Sequence, residues 1–217
     1  MAIKDFMTKE VFSVTSDTKI SKAATLMEEK NVHRLPVIDN GKLVGLITEG
    51  TMKEASPSKA TSLSVYEMNY LLNKTIVRDV MIHKVETISP DATLEDGVFM
   101  MRSKNIGVLP VVEGEQVVGI ITDKDIFDAF LHVAGYGELG ARVILKFSKE
   151  EDHPGSLAKV VELIASKEIN IQTLLVNPKE DGSVIAEIQT NGEVAILKDL
   201  FANETFEILD IKTTGEV

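Results

Sequence analysis

The chain has no cysteine and no tryptophan among its 217 residues, few aromatics at 5%, and only 6 prolines. Without cysteine there is no disulfide framework, no thiolate metal site and no cysteine nucleophile. Basic residues are also short: 23 Lys and Arg face 34 Asp and Glu, for a net charge of −11. The deficit is shared between residues 1–140 and 141–217, so no concentrated basic surface for DNA or RNA is expected, and no direct nucleic-acid partner. No run approaches the ~18 apolar residues of a membrane span. The opening residues Met1-Ala2-Ile3-Lys4-Asp5 lack an apolar signal core, so the expectation is a cytoplasmic chain with no membrane partner. The 44% of apolar residues is enough to build packed cores.

Catalytic and metal-binding spacings are missing as well. His33, His83, His132 and His153 show no i, i+4 or His-x-Glu pattern, so no metal ligand is assigned. There is no Gly-x-x-x-x-Gly-Lys-Ser/Thr loop, no Gly-x-Gly-x-x-Gly and no Gly-x-Ser-x-Gly elbow. No catalytic residue and no catalytic cofactor follow, and the expectation is a protein that is not an enzyme.

An internal repeat is present instead. Sliding the sequence by 74 positions lays Asp5-Phe6-Met7 on Asp79-Val80-Met81, Asn31-Val32 on Asn105-Ile106, and Leu35-Pro36-Val37 on Leu109-Pro110-Val111. The match continues from Gly45-Leu46-Ile47-Thr48 to Gly119-Ile120-Ile121-Thr122. Ile20, Ala23, Ala24 and Met27 have the spacing of one helix face, as do Leu94, Gly97, Val98 and Met101. Two short apolar runs about a polar turn follow each time, Asp39-Asn40-Gly41-Lys42 or Glu113-Gly114-Glu115-Gln116. Each copy therefore reads as a helix, a strand, a hairpin turn, a second strand and a closing helix, and two such units are expected to pack sheet to sheet as a pseudo-two-fold pair. Between the copies, Ser56-Pro57-Ser58 reads as a helix break, and Val65, Met68 and Leu72 as a short amphipathic connector.

The leading Met, the Leu-Pro-Val segment and the closing Gly-h-h-Thr, each occurring twice and extended to Gly-h-h-Thr-x-x-Asp in the second copy, resemble tandem cystathionine-β-synthase (CBS) domains, a Bateman module, over residues 1–132. The resemblance implies an adenosine-nucleotide site (AMP, ADP or ATP) in the cleft between the copies. Thr122 would offer its hydroxyl to phosphate, and Asp125 would accept from the ribose hydroxyls. The same cleft would be lined by Thr8, Phe12 and Ser13 of the first strand, by Val32 and His33, and by Ile120, with Arg34 and Lys124 supplying charge toward phosphate. A second, weaker cleft would hold Thr87, Ile106, Leu46, Thr48 and Thr51. There Thr51 stands where the ribose Asp belongs and Gly107 where the first copy has His33.

Past Gly135-Tyr136-Gly137-Glu138-Leu139-Gly140 the pattern changes. Strand Val143 to Phe147, a helix with Leu157, Val160, Val161 and Ile164 on one face, strands 171–176 and 183–190 about Asp181-Gly182, a helix 195–201 and a strand 206–211 give βαββαβ, the ferredoxin-like order. The Asp152-x-Pro154-Gly155-x-Leu157 turn resembles that of an ACT domain, which implies dimerisation and a possible amino-acid site at Asp152, Pro154, Gly155, Ser156 and Leu157. A steric role for Pro-Gly in the chain reversal explains the same residues without a ligand.

The expected fold is thus α+β: CBS repeat 1 with its connector over 1–75, repeat 2 over 76–134, a linker over 135–140 and an ACT domain over 141–217. The whole resembles regulatory proteins of the acetoin-utilisation AcuB type. The expected function is nucleotide sensing by a homodimer acting on an unknown target protein. The alternatives are a ligand-free dimerising scaffold and an enzyme with an unrecognised active site.

Overall fold

The computed structural model describes residues 1–55 and 74–215. The Ser56-Pro57-Ser58 break and the connector helix lie outside the described residues. Two compact units emerge, Met1–Phe127 and Asp128–Val217.

In the first unit each repeat contains a helix, a two-stranded antiparallel hairpin and a closing helix. These are α1 (Ile20–Lys30), β1 (Arg34–Asp39), β2 (Lys42–Thr48) and α2 (Glu49–Ala55), then α3 (Leu94–Lys104), β3 (Val108–Glu113), β4 (Gln116–Thr122) and α4 (Asp123–Val133). Helix α4 runs past the division between the units. The repeat governs even the punctuation: α1 and α3 both end on an asparagine in the left-handed region, Asn31 (φ 50°) and Asn105 (φ 54°). Burial follows the predicted helix faces at Ile20, Ala23 and Met27 and at Leu94, Gly97 and Met101. Ala24 and Val98 depart from the expectation and are exposed, bordering grooves beside the closing helices.

The expected first strands are not strands. Each copy opens with a single 3-10 turn, Ile3–Asp5 or Val77–Asp79, followed by an extended segment that makes only isolated bridges. These segments are exchanged between the repeats. Ile3, wholly buried, reaches Gly97 of α3, and its amide bonds Ala92 O; Val77 joins the core of repeat 1, and its amide bonds Thr18 O. Thr8 then pairs with Ile120 and Ile82 with Leu46, after which Val14 and Ile88 return to their own hairpins at Val37 and Val111. Matching ion pairs, Lys4–Asp91 and Arg78–Asp17, both at 2.7 Å, lie beside the crossings. The exchange explains the recurring glycine in β2 and β4. A Cβ at Gly45 would run into Met81, and one at Gly119 into Met7, so the leading Met of each copy needs the other copy's glycine.

The second unit is β5 (Gly140–Phe147), α5 (Ser156–Ala165), β6 (Ile171–Pro178), β7 (Val184–Thr190), α6 (Val194–Phe201) and β8 (Glu207–Thr214). Its sheet is antiparallel in the order β6-β7-β5-β8. Ala141, Val143, Leu145 and Phe147 of β5 pack under Val160 and Ile164 of α5 and Leu197 and Phe201 of α6. Val161, expected on the buried face of α5, is exposed, and Leu163 packs on the core instead. Within the second unit, side chains of the sheet bond the glycine-rich stretch: Arg142 Nη2 donates to Ala134 O at 2.7 Å, and Gln189 Nε2 to Glu138 O at 3.4 Å.

Candidate nucleotide cleft

The exchanged segment of repeat 1 brings Thr8 to the end of β4. Thr8 N–H donates to Ile120 O at 2.9 Å and Ile120 N–H to Thr8 O at 3.0 Å. Two residues further on, Thr122 caps α4. The Asp125 carboxylate accepts from both the amide and the hydroxyl of Thr122 through Oδ2, each at 2.7 Å. Its other oxygen, Oδ1, lies 3.5 Å from Thr8 Oγ1, a weak contact that leaves acceptor capacity unused. Asp125 is therefore a capping residue as well as an available carboxylate, and Thr122-x-x-Asp125 is a capping box in its own right.

The equivalent junction of repeat 1 closes on itself. Thr51 Oγ1 donates to Thr48 O at 2.9 Å and accepts from Thr48 N–H at 3.0 Å. The exchanged residue facing this end of β2 is Ile82, where the other cleft has Thr8; its amide and carbonyl bond Leu46. Ile82 was missed by sequence reasoning, although the 74-residue shift that pairs Thr8 with Ile82 contains the signal. Thr87 lines a separate cavity of about 270 Å³ with His83, Val85 and the hairpin at Gly114-Glu115, away from Thr48 and Thr51. Ile106 borders the groove beside α4.

The charged residues expected near phosphate are placed differently. Arg34 Nη1 lies 3.6 Å from Asp123 Oδ1, and the pair occupies the space a side chain at Gly107 would need. Gly107 is thus more than a missing histidine, since its bareness admits an ion pair between the repeats. Lys124 is exposed, its amide bonded to Asp123 Oδ1 at 3.1 Å. His33 Nδ1 meets Glu49 Oε1 at 3.0 Å, and this bond holds the Glu49 carboxyl below its ordinary value. Val32 and His33 line a groove of about 450 Å³ between α1 and α2, equivalent under the repeat to one of about 410 Å³ beside α4. Phe12 is 38% exposed with Lys30 Nζ 5.1 Å from its ring centroid, and Ser13 is exposed. Thr8, Ile120, Thr122 and Asp125 therefore form one cluster, whereas Arg34 is paired with Asp123 and Lys124 meets Asp123 through its backbone amide.

In the second unit, Asp152 to Leu157 form the turn into α5, with Gly155 at φ 103° as its N-cap. The turn is internally bonded: Ser156 Oγ donates to Glu151 O at 2.6 Å and accepts from His153 N–H at 3.3 Å. Among the described residues no group of His, Asp or Glu could hold a metal ion, and no helix is long and apolar enough to cross a membrane.

An exchanged pair of like units, each a helix, a hairpin and a closing helix, is the architecture of a tandem-repeat module. The CBS domain family matches residues 3–58 and again 77–132, and the chain belongs to that family. Among solved structures, it is 28% identical to a candidate acetoin utilization protein (AcuB) from Vibrio cholerae, with a TM-score of 0.52 over 61% of this chain and 91% of that one. The CBS domain pair of protein MJ0100, in complex with 5′-methylthioadenosine and S-adenosyl-L-methionine, is 30% identical, with a TM-score of 0.50 over 60% and 95%. CBSX2 in complex with AMP is 26% identical, with a TM-score of 0.53 over 61% and 97%. The family match ends at residue 132, before the second unit's sheet begins.

Proposed function

We propose that the chain is a regulatory protein that binds one adenosine nucleotide in the cleft between Thr8 and the Thr122–Asp125 junction. The supporting observation is the Asp125 carboxylate, fixed by two short bonds from Thr122 while Oδ1 lies 3.5 Å from Thr8 Oγ1 of the exchanged segment. A fixed carboxylate accepts from two ribose hydroxyls without reorganising, and the Thr8 hydroxyl adds a second polar contact. Thr51, engaged with Thr48 and faced by Ile82, offers no equivalent, so the other cleft is the weak one. The adenosine ligands of CBSX2 and MJ0100 support the class of ligand.

The second unit fits the ferredoxin-like ACT reading through its β-α-β-β-α-β order and its sheet order. Edge strand β6 exposes Leu174, Leu175 and Val176, and β8 exposes Ile208 and Leu209. Pairing with a second copy would cover such an edge, which supports a homodimer. A thermal-shift series with AMP, ADP, ATP, NAD and S-adenosylmethionine tests the function. The sensor reading expects at least one to raise the melting temperature in proportion to RT ln(1 + [L]/Kd). A series with no shift favours the scaffold, and turnover of the nucleotide favours an enzyme.

A further inference from the structure

Helices cover one face of the C-terminal sheet, over Ala141, Val143, Leu145 and Phe147; the alternate residues of β5, including Arg142, belong to the other face. There Arg142 lies in register with Gln189 of β7 on one side and Lys212 of β8 on the other. Two cations directly opposite across antiparallel strands repel each other. Among the described residues, Arg142 bonds only neutral acceptors: Gln189 Oε1 at 3.2 Å, Ala134 O at 2.7 Å and Gly135 O at 3.4 Å. The carboxylates nearby leave that charge standing. Asp210 is 3.8 Å from Lys212, Glu138 accepts from Gln172 at 3.3 Å, and Glu187, in register with Ile144 one row along, makes no ion pair with Arg142.

Beside this pair is a cavity of about 320 Å³, walled by Arg142, Lys212, Thr214, Gly215 and the Gly135-Tyr136-Gly137 turn. Its floor is rigid. Gln189 is 1% exposed and donates to Thr214 Oγ1 at 2.5 Å, which leaves the Thr214 hydroxyl hydrogen free to donate outward. We propose that this cavity binds the carboxylate or phosphate group of a small anionic metabolite, with Arg142 and Lys212 supplying the charge and Thr214 a hydroxyl donor. A fixed guanidinium, an ammonium and a hydroxyl converging on one small cavity suit an oxyanion, and an anion there removes the repulsion between the two cations. The site is separate from the nucleotide cleft and does not depend on it.

Nuclear magnetic resonance titration of the full chain with inorganic phosphate and, separately, with succinate tests this, following the amides of Gly137, Thr213, Thr214 and Gly215. The expected result is a saturable shift of those amides with at least one anion. A response to phosphate alone assigns a phosphate ligand, and one to succinate alone a carboxylate. Lys212 is exposed, so Lys212→Gln preserves the fold and should weaken binding by about tenfold or more. No saturable shift with either anion, or an unchanged affinity in Lys212→Gln, would overturn the proposal.

Discussion

In the second repeat a threonine at the strand–helix junction is followed three residues later by Asp125, and the exchanged segment brings Thr8 to it. In the first repeat the same backbone carries Thr51, and Ile82 arrives in place of Thr8. Hairpins, closing helices, asparagine helix ends and glycine–methionine crossings are duplicated, so the scaffold tolerates both versions. Such a duplication supplies its own control: what the two copies share is needed for folding, and what they do not share is available for function.

Stability sharpens the shared half of this comparison and should give the largest effect. Ile3 is wholly buried against the other repeat, so Ile3→Ala should cost about 2–5 kcal/mol in denaturant unfolding. A cost near zero would mean the exchange is incidental. Binding tests the half that differs. Asp125→Ala should weaken nucleotide binding by about 1.5–3 kcal/mol by calorimetry, but it also removes the α4 cap. Asp125→Asn keeps an oxygen for the Thr122 amide and should lose affinity while retaining stability, which separates the two roles.

Capping is asymmetric as well. Helix α3 begins with a Thr93–Asp96 capping box, whereas α1 starts from Lys19 with no side-chain cap, so Thr93→Ala should cost about 1 kcal/mol and Lys19→Ala nearly nothing. The bonds from Thr93 hold the Asp96 carboxyl below its ordinary value. Its contribution is therefore present above the ordinary carboxylate pKa and is lost as pH falls through the lowered one. Asp96→Asn should flatten the acid side of the stability profile measured by urea midpoint; an unchanged slope would contradict this. The smallest effect expected is in the weak cleft, where Thr51→Asp, alone or with Ile82→Thr, should strengthen a second binding event.

Much of this was legible in the sequence because the repeat repeats chemistry as well as hydrophobicity. Leu-Pro-Val, present in both copies, and the polar turn after it, Asn40-Gly41 in the first, each carry a local conformational meaning, and those segments fold as the hairpins expected. The exchange of opening segments was not legible. Ile3, Thr8 and Val77 find partners far away in sequence, and periodicity reports local faces only. For the same reason the Arg34–Asp123 pair was invisible: a glycine at 107 reads as a loss until the structure shows what fills its place. The bonds to the linker were not legible either, because the residues that make them, Arg142 and Gln189, belong to the following sheet.

Calorimetric titration of the full chain with AMP, run beside Asp125→Asn, tests the central claim most directly. One principal binding event per chain, weakened by roughly tenfold or more in the variant, is the predicted result. Two events of equal affinity, or one that Asp125→Asn leaves unchanged, would contradict the assignment of the ligand to the Thr8–Asp125 cleft.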